Sequence, residues 1–481
     1  MARVTLAWIF GSVFFTAIAG APLTLFASTL GATPFIFGLL AAAPFAASLL
    51  SLPASVWTDR TGQRKRIFML GLYPNRVLWL AAAGVPLWLW NAGHDRAALW
   101  GFIGIVLLAH GFGAIGGPAW MAWMADVVPR RVRGAYFARR KQWGIASALP
   151  TALLVGWALD RFARGEGVSD GRVLLVCAVI FVVAAIAGMV DIAAFHKLRH
   201  TPPEKPVAGP RPSLKEPLKD RQFLAFAAFV GMLTLASAPS GTFITLLLVE
   251  RAGVGGLAVQ TMLLVMPLLG SMLTSGAWGR AVDRLGKKPV LRLCGLGVVP
   301  VALGWAAISL YAEGGLTWPW LILAFAISFG GGAAWSGIEV ANFNYVLELA
   351  GGRPGAAKNQ AAGAGYVAVN SVVVNVAGMA GGLLYGFIAG AASDLEWRPD
   401  FAAGGAVTGL TLVFLLSGVL RLLSVTAVLP LVTEARHRPA REVAAFITTN
   451  LYNNFQTALL QPIRLVRVRA GDTFRSGRRA G

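Results

Sequence analysis

Long apolar stretches are the feature that most constrains this chain. A helix needs ~20 apolar residues to cross a bilayer. Twelve stretches of about that length follow one another, separated by short charged segments. The predicted spans are about 5–28, 33–57, 67–90, 97–125, 137–160, 172–196, 223–249, 257–280, 289–312, 318–347, 361–391 and 404–433. They show no strand-like alternation, and helices satisfy every backbone group in lipid. The sequence therefore predicts an all-α membrane protein.

The low charge content supports the same conclusion. Only 13% of the residues are charged and 56% are hydrophobic, whereas a soluble domain carries roughly 25% charged residues. Much of the surface must therefore face lipid. The formal net charge of +21 would suit a nucleic-acid-binding protein only if it formed a basic face on a soluble domain. We therefore expect no nucleic-acid partner.

The distribution of basic residues predicts the orientation. Most of the 42 lysines and arginines, 34 in all, lie in the loops after even-numbered spans, at the adjoining span ends or at the chain ends. The opposite loops hold only Arg96, Arg161, Arg164, Arg172, Arg251 and Arg398. Because cytoplasmic loops carry the excess of basic residues, we expect both termini in the cytoplasm and the protein in the cell inner (plasma) membrane.

A polar, proline-rich segment divides the chain. Residues 197–221 contain six prolines among charges, which is typical of an extended linker, and they fall between the sixth and seventh spans. The predicted organisation is a first six-helix bundle over 1–198, a cytoplasmic linker over 199–221, a second bundle over 222–434 and a basic tail over 435–481. The tail is either an amphipathic helix on the inner leaflet or disordered.

A short charged motif occurs in both halves. The segment Asp59-Arg60-Thr61-Gly62-Gln63-Arg64-Lys65 follows the second span, and Asp283-Arg284-Leu285-Gly286-Lys287-Lys288 follows the eighth. The spacing from Asp59 to Asp283 equals that from Gly62 to Gly286. Another match follows the fourth and tenth spans, at Arg133 and Arg353. Parallel six-span repeats of this kind are one of the architectures of secondary transporters.

These motifs resemble the signature loop of the major facilitator superfamily. The resemblance covers roughly residues 1–435, and Asp126 and Arg133 after the fourth span add to it. It implies twelve helices in two parallel six-helix bundles. The sequence departs from the family pattern at Ser55, where glycine is usual, at Gln63, and in lacking an arginine near the start of the fourth span. These departures argue against drug/proton antiport.

The resemblance also implies a latch between the two bundles. The loop carboxylates and basic residues would hold the cytoplasmic helix ends together in the outward-facing state and release them in the inward-facing state. The alternative is that these residues only fix the topology. The residues assigned to the latch are Asp59, Arg60, Gly62, Arg64, Lys65, Asp126, Arg133, Asp283, Arg284, Gly286 and Lys287.

Ionisable residues inside the spans are the candidates for a transport site. Each costs at least ~2.5–3.5 kcal/mol in lipid, so function is its default explanation. The resemblance places the fourth and tenth spans on the central cavity, which makes His110 and Glu339 cavity residues. It places the third and twelfth spans outside, which favours an ion pair or snorkelling for Arg76 and Arg421. Asp191 is expected to snorkel or to form a cytoplasmic salt bridge.

Glu339 is the candidate proton carrier, because a buried carboxyl can bind and release a proton near neutral pH. Uncharged polar and aromatic residues extend the candidate set, with helix–helix contacts or aromatic packing as the alternative for each. The substrate and coupling candidates are Glu339, His110, Arg76, Asn342, Ser371, Asn375, Arg421, Trp120 and Trp123.

The sequence thus predicts a secondary transporter of a small solute, with an anionic organic solute and proton coupling as the favoured details. The alternative is a non-transport member of the same fold that carries or assembles a pigment, lipid or partner protein. No catalytic or Walker-type motif is present, so we expect neither an enzyme nor an ATP-driven pump. We expect no metal and no cofactor beyond an ion gradient, and a monomer whose partners are the bilayer and the solute.

Overall fold

The structure is a computed structural model that describes residues 2–128, 133–165, 167–196, 198, 215–350, 360–400, 405–434, 439 and 441–448. These residues form helices and their connections, and their one β contact is an isolated bridge between Trp397 and Val407. The predicted tail lies almost wholly outside the described residues, as does most of the predicted linker.

Twelve helical passages follow one another through the described ranges. Those of the first half are, in order, Ala2–Ala17 with Ala21–Thr29, Pro34–Ser48 with Ser51–Thr61, Arg64–Asn91, Asp95–Val127, Arg133–Phe162 and Asp170–His196. Those of the second half are Arg221–Ser237 with Thr242–Leu246 and Leu247–Arg251, Gly256–Gln260 with Thr261–Val265 and Met266–Leu285, Lys287–Leu310, Trp318–Ala350, Gln360–Ala391 and Gly409–Leu423 with Ser424–Val428. We refer to them as the first to twelfth spans.

Ten of these passages are long and apolar enough to cross a membrane. The number rises to eleven when the two bent pieces of the first passage are counted as one span. The passage outside this set is the third, Arg64–Asn91. It has 28 residues, enough to cross, but it carries Pro74, Asn75 and Arg76 near its middle. It packs along the fourth and sixth spans. The predicted all-α membrane fold is confirmed.

Several spans are broken, and local residue chemistry explains where. The first span bends by 40° at Gly20, whose φ of 73° is accessible chiefly to glycine. The seventh span is interrupted by a 3₁₀ turn at Ala238–Ser240, which contains Pro239 and precedes Gly241. Within the described part of the chain, the seventh, eighth and twelfth spans also contain π-helical turns, which are frequent at functional sites.

The two faces of the bundle differ. We call the face that carries the loops at Gly62 and Gly286 the basic face, and the face that carries the loops at Gly31, Gly93 and Gly253 the far face. Toward the far face, one hydrophobic core contains buried residues of both halves, such as Phe26 and Phe243. Toward the basic face, each half has its own core. The two halves are therefore joined at the far face and separate at the basic face.

Small residues allow this close approach. Gly38 of the second span packs against the backbone of Gly382 and Gly386 of the eleventh, with no room for a side chain. Gly156 of the fifth span packs in the same way against the backbone at Leu257 of the eighth. Small residues let membrane helices approach to backbone contact, so these contacts seal the interface on the far side.

Polar contacts strengthen the seal. Asp160, at the far end of the fifth span, accepts hydrogen bonds from the first two backbone N–H groups of the eighth, at 2.6 Å from Gly256 and 3.0 Å from Leu257. A carboxylate at a helix N-terminus is stabilised by the free N–H groups and the helix dipole. Ser28 of the first half also hydrogen-bonds Glu250 of the second. Asp160 thus ties the halves together at the far face.

We predict that Asp160→Asn weakens this seal. The substitution removes a charge–dipole interaction worth ~0.3–1 kcal/mol at this exposure, so the far side should open in a roughly 2- to 5-fold larger fraction of molecules. Spin labels on Ser169 and Asp394, which are exposed at the far face of the two halves, would report the opening as a longer distance. The native cysteines, Cys177 and Cys294, are buried.

Asp170→Asn is the matched control, because Asp170 is an exposed far-face carboxylate in the first turn of the sixth span. It should leave the distance distribution unchanged. Equal distributions for Asp160→Asn and wild type would contradict the assigned role of Asp160.

Candidate functional site

Each half contains a cavity. The cavity of the first half has a volume of about 430 Å³ and that of the second about 440 Å³. Volumes of 300–1,000 Å³ are typical of small-molecule sites. The polar and aromatic residues that line the first are Trp8, Phe15, Ser48, Phe68, Asn75, Arg76, His110, Trp120, Arg140, Asp191 and Phe195. Those that line the second are Ser237, Ser240, Ser271, Trp305, Ser328, Trp335, Ser336, Glu339 and Arg421.

Arg76 and Asp191 form a buried ion pair in the first half. Arg76 is 1% exposed and Asp191 6%, and Nη2 of the arginine lies 3.4 Å from Oδ2 of the aspartate. Nη1 donates to Asn75 Oδ1 at 2.8 Å, and the guanidinium lies 3.7 Å from the centre of the Phe14 ring. The ion pair expected for Arg76 is present. Asp191 pairs within the bundle, so the expectation that it snorkels or bonds at the cytoplasmic surface was wrong.

Glycines make room for this pair. A side chain on Gly188 of the sixth span would collide with Arg76, and one on Gly11 of the first span would collide with Asp191. The three spans therefore close around a charge pair that lipid would not tolerate alone.

Arg140 is a cavity residue that the sequence analysis missed. Its guanidinium lies between the indole rings of Trp8 and Trp120, at 4.0 and 4.5 Å from their centres. It also interacts electrostatically with Asp191. The predicted fifth span, 137–160, contains Arg140, but the charge distribution grouped this arginine with the basic residues after the fourth span; the helix itself begins at Arg133. The helical spacing of Tyr136, Arg140 and Gly144 is the signal that could have revealed an inward face.

The remaining candidates of the first half separate into cavity and core. His110 lines the cavity, and no hydrogen bond joins it to another described residue. Trp120 also lines the cavity and stacks on Arg140. Trp123 is fully buried in the core with Phe68 and Phe195, so the packing alternative holds for it.

Arg421 lies on the wall of the second cavity. It is 4% exposed, and it donates to Val298 O at 2.8 Å and to Ser240 Oγ at 2.6 Å. Across the described ranges no carboxylate forms an ion pair with it. The family resemblance placed the third and twelfth spans outside the cavity, but Arg76 and Arg421 both reach a cavity wall.

Glu339 reaches the second cavity from the tenth span. It is hydrogen-bonded to Trp335 and attracted electrostatically by Lys141 of the fifth span, across the interface between the halves. Its neighbour Asn342 lies outside the lining of both cavities, and its buried side-chain oxygen has no partner among the described residues.

The polar pair of the eleventh span is joined by a hydrogen bond. Asn375 donates to Ser371 Oγ at 3.3 Å, as expected for residues four apart on a helix. Neither residue lines either cavity, which favours a role in helix–helix contact.

The basic-face motifs form ion pairs and hydrogen bonds with residues of their own half. Arg64 pairs with Asp126 in the first half, and Lys287 pairs with Glu348 at the corresponding place in the second. Lys65 donates to the carbonyls of His196 and Leu198 at the end of the sixth span, at 2.8 and 2.7 Å. Lys288 does the same at Pro430 and Val432 at the end of the twelfth. The two copies of the motif therefore make similar contacts: an ion pair and a lysine bound to carbonyl oxygens at the end of the last span of each half.

The loop turns themselves follow from glycine. Gly62 and Gly286 have φ of 64° and 102°, a region that favours glycine. Asp59, Arg60 and Asp283 are exposed, and each makes no ion pair or hydrogen bond with another described residue.

The other two latch residues, Arg284 and Arg133, form no described contact between the halves. The guanidinium of Arg284 lies 5.7 Å from the centre of the Phe446 ring, and the side chain of Arg133 lies outside the described residues. No basic-face motif bridges the two halves in the described part of the chain.

Comparison with known proteins identifies the family. The sequence profile of the Major Facilitator Superfamily matches residues 4–368. The chain belongs to the major facilitator superfamily. A search of curated proteins finds no match. The predicted resemblance and the two-bundle fold are confirmed, and the protein is a multi-pass membrane protein of a transporter family.

Solved structures of transporters share the fold. The nucleoside transporter NupG superimposes with a TM-score of 0.63 at 13% identity, covering 90% of this chain and 99% of NupG. A D-xylose-proton symporter gives 0.62 at 14% identity, with 91% and 99% covered. The inward-open xylose transporter XylE from E. coli gives 0.57 at 14% identity, with 92% and 98% covered. At these identities the likeness shows the fold alone.

We predict that breaking the buried ion pair destabilises the protein. Asp191→Asn leaves the buried charge of Arg76 without its partner, which costs ~3–5 kcal/mol. The double substitution Arg76→Met with Asp191→Leu removes both charges and should recover part of this loss. Thermal unfolding in detergent measures both changes.

Asp95→Asn serves as the control, because Asp95 is exposed in the first turn of the fourth span. A melting temperature for Asp191→Asn equal to that of this control would show that the pair contributes little.

Proposed function

We propose that this protein is a proton-coupled secondary transporter that moves a small organic anion by alternating access. Membership of the superfamily supports secondary transport. The observation that carries the proposal is the arrangement of the cavities: both lie between helices that are sealed at the far face and separate at the basic face. We further propose that the basic face is cytoplasmic, in agreement with the positive-inside rule, so that the structure corresponds to the inward-facing state.

The charge of the cavities supports an anionic solute. Among the described residues that line them, cations outnumber anions. The cations are Arg76, Arg140 and Arg421, and the anions are Asp191 and Glu339. A cleft of one charge sign attracts and concentrates ligands of the other sign. The solute is therefore an anion that neutralises part of this excess.

The pair of Glu339 and Lys141 supports proton coupling. The two residues belong to different halves, and the attraction between them depends on the separation of the halves near the basic face. Proton binding at Glu339 and the position of the halves are therefore linked, as any two coupled equilibria must be. Proton entry from one side and release to the other would then accompany each cycle.

The basic-face motifs agree with this state. The latch implied by the family resemblance is closed in the outward-facing state, and here Asp59 and Asp283 are free of described partners while Arg64 and Lys287 bind within their own halves. The alternative of a non-transport carrier or assembly factor gains no support from the fold or the relatives.

We predict that Glu339→Gln abolishes accumulation driven by a pH gradient but retains solute exchange. The amide keeps the size and hydrogen bonding of the side chain but cannot carry a proton. An organic anion found by thermal-shift screening of the purified protein, radiolabelled and offered to proteoliposomes with and without an imposed gradient, provides the measurement.

Glu216→Gln is the matched control, because Glu216 is exposed on the short helix before the seventh span. It should leave both activities intact. Gradient-driven accumulation by Glu339→Gln at the wild-type level would show that another group carries the proton.

A further inference from the structure

We infer that the second-half cavity binds an oxyanion at Arg421, Ser237 and Ser240, and that this oxyanion is the charged group of an organic acid with an apolar or aromatic body. The inference rests on the proposed transport function and adds to it the site and the chemical class of the solute. It departs from the family resemblance, which placed the twelfth span outside the cavity.

The burial of Arg421 is the first argument. A buried charge is stable only when it is paired or fully hydrogen-bonded. Arg421 is 4% exposed, and its protein partners are two neutral acceptors, Val298 O and Ser240 Oγ. In contrast, Arg76 at similar burial has a carboxylate partner in Asp191. In the described part of the chain the positive charge of Arg421 is uncompensated, and an anion from solution would compensate it.

Unused hydrogen-bond donors at the same wall are the second argument. Nε of Arg421 is buried and has no partner in the described residues, and the same holds for the buried hydroxyl of Ser237. Both residues line the second cavity. An unsatisfied buried donor costs ~1–3 kcal/mol, and more when it is charged. An oxyanion supplies several acceptor oxygens, and arginine binds carboxylate and phosphate with two parallel hydrogen bonds.

The remaining lining defines the body of the solute. Apart from its serines and charged groups, the cavity of about 440 Å³ is walled by apolar side chains, including Ile244, Leu268, Trp305 and Trp335. Cavities of this kind bind ligands through apolar contact and use a few polar groups for orientation. The complement of this cavity is an organic acid that places its oxyanion at Arg421 and its apolar part against the tryptophans.

The position of the site connects binding to the gate. Ser237 directly precedes the 3₁₀ turn that interrupts the seventh span, and Ser240 is the last residue of that turn. The segment beyond this turn, Thr242–Leu246, packs against the first and second spans of the opposite half. An oxyanion held between Arg421 and the turn would therefore contact the helix that forms part of the far-face seal.

The test is binding to the purified full-length protein in detergent. The probes are benzoate and phenylphosphonate, with benzamide as the neutral analogue of benzoate, and the readouts are isothermal titration calorimetry and thermal shift. We expect both anions to bind and stabilise the wild type, and benzamide to bind at least tenfold more weakly. Two anions are used because comparing the affinities of the carboxylate and the phosphonate shows which oxyanion the site prefers.

Variants locate the bound probe. Arg421→Gln should weaken binding of the preferred anion at least tenfold, and Ser237→Ala and Ser240→Ala should each weaken it about threefold to tenfold. The two serine variants keep the assignment testable if Arg421→Gln does not fold. Arg292→Gln is the matched control, because Arg292 is exposed on the ninth span, and it should bind as the wild type does.

The outcomes separate this inference from the proposed function. Failure of both anions to bind the wild type, equal binding of benzamide, or unchanged binding by Arg421→Gln and both serine variants would overturn the site. If the anion binds at Arg421 but is not accumulated under any pH gradient, the site stands and the transport proposal fails. If an organic anion is accumulated and Arg421→Gln leaves its KM unchanged, transport stands and the site is wrong.

Discussion

The burial of arginine side chains at membrane depth is the constraint on which the rest of this structure depends. A charge in lipid must be paired, hydrogen-bonded or surrounded by polarisable groups, and the described helices show a different solution for each of three arginines. Arg76 pairs with Asp191, Arg140 lies between two tryptophan rings, and Arg421 is held by neutral oxygens. These arrangements require helices that face one another, so they require a bundle with a polar interior.

Helix packing differs between the two faces of the bundle. At the far face, glycines bring the backbones of opposite halves into contact, and Asp160 adds a carboxylate to a helix N-terminus across the interface. At the basic face, the charged residues tie helices within a half, at Arg64 with Asp126 and at Lys287 with Glu348. Near the basic face the ion pairs therefore tie helices within each half, and among the described residues they do not tie one half to the other.

The sequence predicted the fold well because each membrane-spanning helix must be apolar along its length, and this requirement is visible in a short window of sequence. Twelve apolar stretches and a repeated charged motif were enough to predict the two-bundle architecture. For Arg76 the sequence left an ion pair or snorkelling open, and the structure shows the ion pair. The partner of Arg76 was misplaced, because a distance along the chain from a predicted span end does not give the depth of Asp191 in the bundle.

The site was predicted less well, for identifiable reasons. Arg140 lies inside the predicted fifth span, 137–160, but it adjoins Arg139 and Lys141 and was therefore grouped with the basic residues that set the orientation. Arg421 was assigned outside the cavity from the usual order of spans, but that order does not show which side chain is long enough to reach a cavity wall. Trp123 differs from Trp120 only by its helical face, and that face becomes known only when the neighbouring helices are placed. The side chains that complete a site come from distant parts of the chain, so no single window of sequence contains them.

The most direct test of the central claim is chemical access to the cavity. Ser271 lines the second cavity and is partly exposed, so a cysteine at this position reports which side of the membrane the cavity faces. The account predicts reaction of Ser271→Cys with a membrane-impermeant thiol reagent added at the cytoplasmic side of inverted vesicles, and slow reaction in right-side-out vesicles. Rapid reaction from the opposite side alone, or from neither side, would contradict it.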